Sequence, residues 1–128
     1  MRLLLDTHVL IWALTAPERL SALARAWLED PDNVLFLSSV SVMEVLTKYR
    51  LGKLPQVAPI VANLELHLAR LGMLELAVTH AHAKLAGRFV HPHRDPFDRL
   101  LAAQAQIEGL TLLSRDPAFS TMDVTVRW

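Results

Sequence analysis

The chain has 128 residues, a length that suits one domain with a buried core and is too short for two, so we expect a single domain over residues 1–128. Its 13 basic and 13 acidic side chains cancel, and the overall charge therefore indicates neither a nucleic-acid nor a membrane partner. Cysteine is absent, which excludes disulfides, thiol catalysis and zinc–thiolate sites.

The beginning of the chain is apolar but too short for a secretion signal. Leu3, Leu4 and Leu5 are followed by Asp6 and His8, which interrupt the apolar run far short of a signal-peptide core. No uninterrupted apolar stretch has the length needed to span a membrane. We therefore expect a soluble, cytoplasmic protein without a membrane partner.

Short apolar runs alternate along the chain with segments in which apolar residues recur at intervals of three and four. The first pattern is typical of buried strands and the second of helices that pack one face on a core. In chain order the patterns predict a strand at 2–5, helices at 8–14 and 21–30, a strand at 34–37, a helix at 41–51, a weaker helix at 59–71, a strand at 73–78, helices at 79–87 and 96–108, a strand at 110–113 and a candidate fifth strand at 124–128.

The glycines fall at the ends of predicted helices. Gly52, Gly72, Gly87 and Gly109 occupy positions where the left-handed conformation often terminates a helix. None lies in a phosphate-binding glycine motif, which excludes a P-loop enzyme and a dinucleotide-binding fold. The alternating strands and helices predict instead an α/β fold with a mostly parallel sheet of four or five strands, covered by helices on both faces. Ligands of such sheets bind beyond the carboxyl ends of the strands.

Four acidic residues are predicted near that edge of the sheet. Asp6 directly follows the first strand, and Asp116 follows the fourth after Ser114 and Arg115. Glu44 falls in the first turn of the helix after the second strand, and Asp98 opens the helix that leads into the fourth. Clustered carboxylates raise one another's pKa, and a divalent cation removes that cost. Oxygen ligands without His or Cys suit Mg²⁺ or Mn²⁺ rather than zinc.

Helix capping is an alternative explanation for the same acids. Asp6 could cap the helix that follows it, and Ser41 and Glu44 have the spacing of a capping box. Asp95 and Asp116 each precede a proline that would begin a helix. Capping explains each acid by itself but not why several would lie at one edge of the sheet. The two explanations are compatible, because helix N-termini stabilise nearby negative charge.

Several motifs occur together, in an order that covers essentially the whole chain. They are LLLDTH at 3–8, Trp12, APERLS at 16–21, SSVSVME at 38–44, HRDPFDRLLAAQA at 93–105 and LSRD at 113–116. This combination resembles the PIN domains, and within them the VapC-like branch of toxins from type II toxin–antitoxin systems.

The resemblance implies a three-layer α/β/α fold, cleavage of RNA with Mg²⁺ or Mn²⁺, a homodimer, and a cognate antitoxin protein that blocks the site. Carried over by position, it assigns a catalytic and metal-binding set of four acids: Asp6, Glu44, Asp98 and Asp116. Asp98 is preferred to Asp95 because the third acid of the family stands four and five residues before two small residues, here Ala102 and Ala103. Asp95 is then a helix cap.

Hydroxyl and guanidinium groups lie close in sequence to the predicted acids. Thr7 and Ser114 could hydrogen-bond a metal-binding carboxylate or form ordinary turn and cap hydrogen bonds. Arg94, Arg99 and Arg115 are candidates for contacts with RNA phosphates, which position a nucleic acid without reading its bases.

Two H-x-H pairs invite a zinc hypothesis. The pairs are His80 with His82 and His91 with His93. On the predicted helix, His80 and His82 point to different faces, because only residues three or four apart are neighbours there. Without thiolates or a helical i, i+4 His pair, a zinc site is disfavoured. We expect His91 and His93 at the edge of the crevice.

The three tryptophans, Trp12, Trp27 and Trp128, fit core or edge packing better than base-stacking platforms, since each lies within a helical or strand pattern. Trp12 and the apolar residues of 20–28 could instead form a groove for an antitoxin segment.

The preferred interpretation is a nuclease in which a metal-activated water hydrolyses RNA. Another phosphoester hydrolase usually needs an acidic nucleophile with a second acid two residues later, and Asp6-Thr7-His8 lacks that second acid. A non-catalytic, PIN-like scaffold that binds RNA or a protein is the remaining alternative. It would have no use for the four acids.

Overall fold

A computed structural model describes residues 1–90 and 95–128. The strands are β1 (Arg2–Leu5), β2 (Val34–Ser38), β3 (Met73–Leu76), β4 (Thr111–Leu113) and β5 (Val126–Arg127). The α-helices are α1 (Thr7–Thr15), α2 (Ala22–Glu29), α3 (Ser39–Arg50), α4 (Ala58–Val61), α5 (Leu64–Arg70), α6 (His80–Arg88) and α7 (Pro96–Glu108). Short 3-10 helices lie at Pro17–Arg19, Pro55–Val57 and Pro117–Thr121.

The strands form one sheet in the order β3-β2-β1-β4-β5. Every neighbouring pair is parallel, so the predicted parallel sheet is confirmed, including its fifth strand. β1 is central, and its Leu4 lies in register with Phe36 on one side and Leu112 on the other. The carboxyl ends of β1 and β4 therefore meet at the same edge of the sheet.

The side chains of β1 alternate between two hydrophobic cores. Leu3 and Leu5 pack in the core formed with helices α1, α2 and α3. Leu4 packs in the core on the other face, which includes Leu101 of α7 and the aromatic ring of Phe119. Because successive strand residues point to opposite faces, this division shows helices covering both sides of the sheet. The predicted three-layer α/β/α arrangement is confirmed.

The weak helix predicted at 59–71 is two helices. α4 ends at Val61, and α5 begins at Leu64 after Asn63, whose backbone is non-helical (φ −138°, ψ 48°). Ile60 and Leu64 are nevertheless both buried, so the apolar spacing continues across the break. Across residues 1–90 and 95–128, no helix is both long and apolar enough to cross a membrane.

The capping box predicted for Ser41 and Glu44 is wrong. α3 begins at Ser39, and its cap is Ser38, whose hydroxyl accepts a hydrogen bond from the Val40 backbone N–H at 3.1 Å. Ser41 is therefore inside the helix, and Glu44 lies in its second turn rather than its first. This shift places both side chains on the buried face of α3.

The glycines divide into two classes, and one prediction about them is wrong. Gly52, Gly72 and Gly109 have positive φ, as predicted for helix ends. Gly87 is different, because α6 continues through it to Arg88. The sequence alone does not distinguish a glycine that ends a helix from one within its last turn.

Alanine substitutions should separate these two classes. Gly109 has φ +65°, and a Cβ added there or at Gly87 meets no atom within 4 Å, so backbone conformation alone decides the sign. We expect Gly87→Ala to raise the free energy of unfolding by about 0.5–1 kcal/mol and Gly109→Ala to lower it by about 1 kcal/mol. Urea denaturation measures both, and a change of the same sign in both variants would contradict this account.

Candidate functional site

Asp6 lies where β1 ends, at the edge shared with β4. Its backbone N–H donates to the Leu113 carbonyl at 3.0 Å, which continues the β1–β4 pairing. The residue occupies the N-cap position of α1, but its side chain makes no capping hydrogen bond. One carboxylate oxygen, Oδ2, instead accepts a hydrogen bond from the Ser114 hydroxyl at 2.8 Å. The side-chain capping explanation is therefore wrong for Asp6.

Ser114 connects two of the four acids. Its Oγ donates to Asp6 and also accepts the backbone N–H of Asp116 at 3.0 Å. Ser114 is buried, and it directly follows β4, so the sheet itself fixes its position. The hydroxyl thereby orients the carboxylate of Asp6 and fixes the position of the Asp116 backbone.

Glu44 reaches the same region from α3. It is 5% exposed, as is Asp6. Lys48, one turn later, donates from Nζ to Glu44 Oε2 at 2.7 Å. The ammonium offsets part of the cost of burying the Glu44 charge, because a buried carboxylate without a cation is strongly disfavoured.

The pKa of Asp6 is raised above its ordinary value of 3.8. Burial is the main cause, since it penalises the charged form, and the negative charge of Glu44 raises the pKa further. The hydrogen bond from Ser114, the charge of His8 and the backbone of Thr7 act in the opposite direction without cancelling the effect of burial. Asp6 and Glu44 thus form a buried, mutually repelling pair that a cation would stabilise.

Asp116 lies on the exposed side of Asp6. Its Oδ1 accepts the Ala118 backbone N–H at 2.9 Å, and it caps the 3-10 helix Pro117–Thr121, so the capping prediction holds here. The same residue lines a cavity of about 330 Å³, which we call the Trp12 cavity. Its lining residues are Asp6, His8, Trp12, Arg115, Asp116 and Pro117.

Asp98 lies in the first turn of α7 and is half-buried. Asp95 caps that helix, with its Oδ1 accepting the Phe97 N–H at 2.9 Å, as predicted. Arg99 donates to the carbonyls of Ala86 and Phe89, at 3.1 and 2.6 Å. These bonds tie α7 to the end of α6, a structural role that the RNA-contact prediction for Arg99 did not include.

The other predicted site residues have different surroundings. Thr7 is buried, and its hydroxyl donates to the Ser41 hydroxyl at 3.0 Å rather than to an acid. Arg115 is exposed and lines the Trp12 cavity. Arg94, like His91 and His93, lies outside the described residues.

The two helical histidines point to different faces, as predicted. His80 is exposed, whereas His82 is buried. The Nδ1 of His82 accepts the Thr79 backbone N–H at 3.0 Å, and its Nε2 lies 2.8 Å from Glu108. His82 is thus part of the cap of α6, a role that the sequence analysis did not anticipate.

Two of the four acids have the chemistry of a metal site. Within the described ranges, no three or more His, Asp or Glu side chains are assembled in a way that could hold one. Mg²⁺, however, commonly binds through one or two carboxylates and keeps several of its waters. The buried Asp6–Glu44 pair supplies such carboxylates, and Asp116 lines the cavity that opens beside Asp6. The chemistry of the Asp6–Glu44 pair therefore fits a hard divalent cation, whereas the described part of the chain does not bring a third acid together with this pair.

A family model for the PIN domain matches residues 3–124. The chain belongs to the PIN-domain family. Over 58 residues it is 40% identical to ribonuclease VapC16 of Mycobacterium tuberculosis. That match covers 45% of this chain and 41% of the relative, so the aligned segment spans about two fifths of that protein's length. The predicted resemblance to VapC-like PIN domains is confirmed.

Solved structures share the fold. The VapBC2 complex of Rickettsia felis, bound to a DNA fragment from its promoter, superposes with a TM-score of 0.74 at 18% identity and covers 99% of this chain and 98% of its own. Mycobacterium tuberculosis VapC20, described as a toxin that cleaves the sarcin–ricin loop, superposes with a TM-score of 0.62 at 20% identity and covers 96% of each chain. Identities this low establish the PIN-domain architecture alone.

Proposed function

We propose that the protein is a metal-dependent endoribonuclease, the toxin of a type II toxin–antitoxin system. The observation that carries the proposal is the buried pair of Asp6 and Glu44 at the carboxyl edge of the sheet. A binding scaffold gains nothing from this pair, because burying two carboxylates together is costly. Membership of the PIN-domain family and the relationship to a VapC ribonuclease support the same conclusion.

Mg²⁺ or Mn²⁺ is the proposed cofactor, held by the acidic set Asp6, Glu44, Asp98 and Asp116. Carboxylate oxygens are the ligands that these hard cations prefer. When bound, the metal lowers the pKa of a coordinated water and stabilises charge on the phosphodiester. Asp6 and Glu44 would be the inner ligands because they are buried together, and Asp116 would complete the site from the Trp12 cavity.

The chain's own residues prepare this chemistry. Ser114 orients Asp6 by donating to Oδ2, which leaves Oδ1 for a ligand. Lys48 donates to one oxygen of Glu44, Oε2. Asp116 is placed by the Ser114 hydroxyl and by its own cap bond to Ala118. The carboxylates are therefore fixed before RNA arrives, which limits the reorganisation needed for reaction.

The proposed partners follow from the related proteins. The solved structures that share the fold include VapBC from Rickettsia felis, Salmonella typhimurium and Haemophilus influenzae and a toxin–antitoxin complex from Klebsiella pneumoniae. We infer that this chain also binds a cognate antitoxin protein, which would block the acidic site. A homodimer and a cytoplasmic location complete the proposal.

Cleavage of single-stranded RNA tests the function. Purified protein free of antitoxin is incubated with a mixed RNA panel in Mg²⁺, Mn²⁺ or chelator, beside a folded Asp116→Asn variant. We expect cutting by the wild type alone, and only with metal. Asn caps about as well as Asp, so the variant keeps its fold. Cutting that persists in chelator, or in Asp116→Asn, would contradict the proposed site.

Removing the Ser114 hydroxyl should reduce activity more than stability. Ser114→Ala loses the hydrogen bonds to Asp6 and to the Asp116 N–H, so both ligands lose their orientation. Losing a partner of a metal ligand typically reduces activity or metal affinity about 10–100-fold, and we expect a decrease in that range. Metal titrations of the cleavage rate measure it. Thr121→Ala, at an exposed position in the same segment, serves as the control and should cleave normally.

A further inference from the structure

The Trp12 cavity has a composition that the acidic site does not require. Besides Asp6 and Asp116, its wall contains two aromatic side chains, His8 and Trp12, and the guanidinium of Arg115. A metal site needs carboxylates, but it needs neither an aromatic wall nor a cation beside it. These groups therefore point to a ligand that extends from the acids into the cavity.

The aromatic wall is organised before any ligand binds. The ring centroids of His8 and Trp12 lie 5.9 Å apart, with their planes inclined at 47°. Trp12 is also held from other sides. The Arg19 guanidinium carbon lies 5.4 Å from the centroid of its ring, and Trp128 makes an edge contact at 5.8 Å. A fixed aromatic surface binds a flat ligand with little loss of side-chain entropy.

The charges of the cavity restrict the ligand further. Asp6 and Asp116 disfavour a free anion inside it, whereas exposed Arg115 favours a negative group at its rim. Among the described residues, no hydrogen bond or ion pair engages Arg115. The combination fits a flat, uncharged ring joined to a phosphate. A nucleotide of single-stranded RNA has both parts, and its unpaired base is free to stack.

We propose that the Trp12 cavity binds one nucleobase of single-stranded RNA, next to the phosphodiester held at Asp6. The base stacks against Trp12 and His8, and Arg115 contacts the adjoining phosphate. The inference depends on the proposed function, since it concerns the RNA that this function cleaves. It makes Trp12 a specificity-determining residue, in contrast to the packing role predicted from sequence. A paired base cannot enter the cavity, so cleavage is confined to unpaired segments.

Binding of RNA with single abasic positions tests the proposal. Fluorescent hexauridylate and its six single-abasic derivatives are titrated with protein in Mg²⁺. The Asp6→Asn background keeps the RNA intact during the titration. One abasic position should weaken binding about 10-fold, because stacking on an aromatic side chain contributes on the order of this factor per base. In Trp12→Leu, intact RNA should bind as weakly as this abasic RNA binds to the parent. Removing the base at the same position should then cause no further loss of affinity.

Matched variants separate stacking from folding. Trp12 also packs against the core, so Trp12→Phe, which keeps an aromatic ring, should retain the abasic-sensitive position. His8 is exposed, so His8→Ala should leave the protein folded. It should reduce the loss of RNA affinity that the sensitive abasic position causes. Trp27 packs against the same core but is absent from the cavity. Trp27→Phe should therefore behave as the parent.

Each result distinguishes this inference from the proposed function. RNA binding that depends equally on every base, or is indifferent to Trp12 and His8, overturns the inference and leaves the nuclease intact. Base-dependent binding by a wild type that cleaves nothing retains the inference and overturns the nuclease. If the Asp6→Asn protein binds no RNA, the titration is repeated with the wild type in chelator, where no cleavage is expected, and the inference fails if that protein binds no RNA either.

Discussion

Asp6→Asn should abolish RNA cleavage and, at neutral pH without metal, make the protein more stable. Asn has the shape of Asp and can still accept the Ser114 hydrogen bond, but it carries no charge to bury beside Glu44. Cleavage should fall by at least about 100-fold, because a metal ligand is lost and not only its orienting partner. Thermal unfolding in chelator and an RNA cleavage assay measure the two effects.

The pH dependence gives the sign of the stability change. The folded-state pKa of Asp6 is raised above 3.8, so the folded protein binds its proton more tightly than the unfolded chain does. The contribution of Asp6 to stability is present below the unfolded pKa and is lost as pH rises through the folded pKa. At neutral pH the charged group destabilises the metal-free protein. Asp6→Asn removes this loss, and its stabilising effect should vanish at low pH.

A divalent cation should stabilise the wild type more than it stabilises Asp6→Asn. Binding only to the folded state stabilises it, so Mg²⁺ or Mn²⁺ should raise the Tm of the wild type more than that of Asp6→Asn. Asp95→Asn is a matched control, because Asp95 caps α7 and Asn is an equally good cap. It should change neither stability nor the response to metal. An Asp6→Asn protein that is less stable than the wild type in chelator would contradict this account.

The sequence predicted the parts of the site that lie directly on strands. Asp6 ends β1 and Ser114 follows β4, and strand period and parallel pairing are enough to bring them together. The hydrogen bond between them spans 108 positions in the chain. It was accessible from the sequence because a parallel sheet brings the ends of its strands to one edge. The family resemblance supplied Asp6 independently, as one of the four acids.

The sequence was less informative where the site depends on helix rotation. Both Ser38 and Ser41 are residue types that cap helices, and the choice between them shifts the predicted start of α3 by three residues. In the structure Ser38 is the cap, and the Ser41 hydroxyl accepts a hydrogen bond from Thr7 in α1, 34 residues away. Such a contact between two helices leaves no local pattern. The role of Arg99 was missed for the same reason, because its acceptors lie 10 and 13 residues earlier, in and just after α6.

Gln104 shows another limit of sequence reasoning. It lies among apolar residues on the buried face of α7, where its amide nitrogen approaches the carbonyls of Leu76 and Ala77 at 3.5 and 3.3 Å. Its amide oxygen is buried without a hydrogen-bond partner among the described residues. Helical periodicity would assign an apolar residue to this position. The amide instead binds α7 to the end of β3, a contact set by tertiary packing.

Phe119→Ala should be the most destabilising of the substitutions considered. Phe119 is fully buried, at 0% exposure, in the core beneath α7 with Leu4, Leu101 and Leu112. Truncating a buried phenylalanine typically costs about 3–5 kcal/mol, a large part of the 5–15 kcal/mol that stabilises an ordinary domain. Urea denaturation measures the loss. Phe119→Leu, which refills much of the space, should lose distinctly less.

The same substitution should also reduce cleavage at temperatures where the protein remains folded. Phe119 anchors the 3-10 helix Pro117–Thr121, and Asp116 is the cap of that helix. Without the ring, the segment that presents Asp116 loses one of its core contacts and depends more on its hydrogen bonds to Ser114 and within the turn. Cleavage by folded Phe119→Ala should therefore require more metal, whereas Phe119→Leu should resemble the wild type. Normal metal dependence in a destabilised Phe119→Ala would show that packing of the Phe119 ring does not position Asp116, and that its hydrogen bonds to Ser114 and Ala118 are sufficient to place this acid.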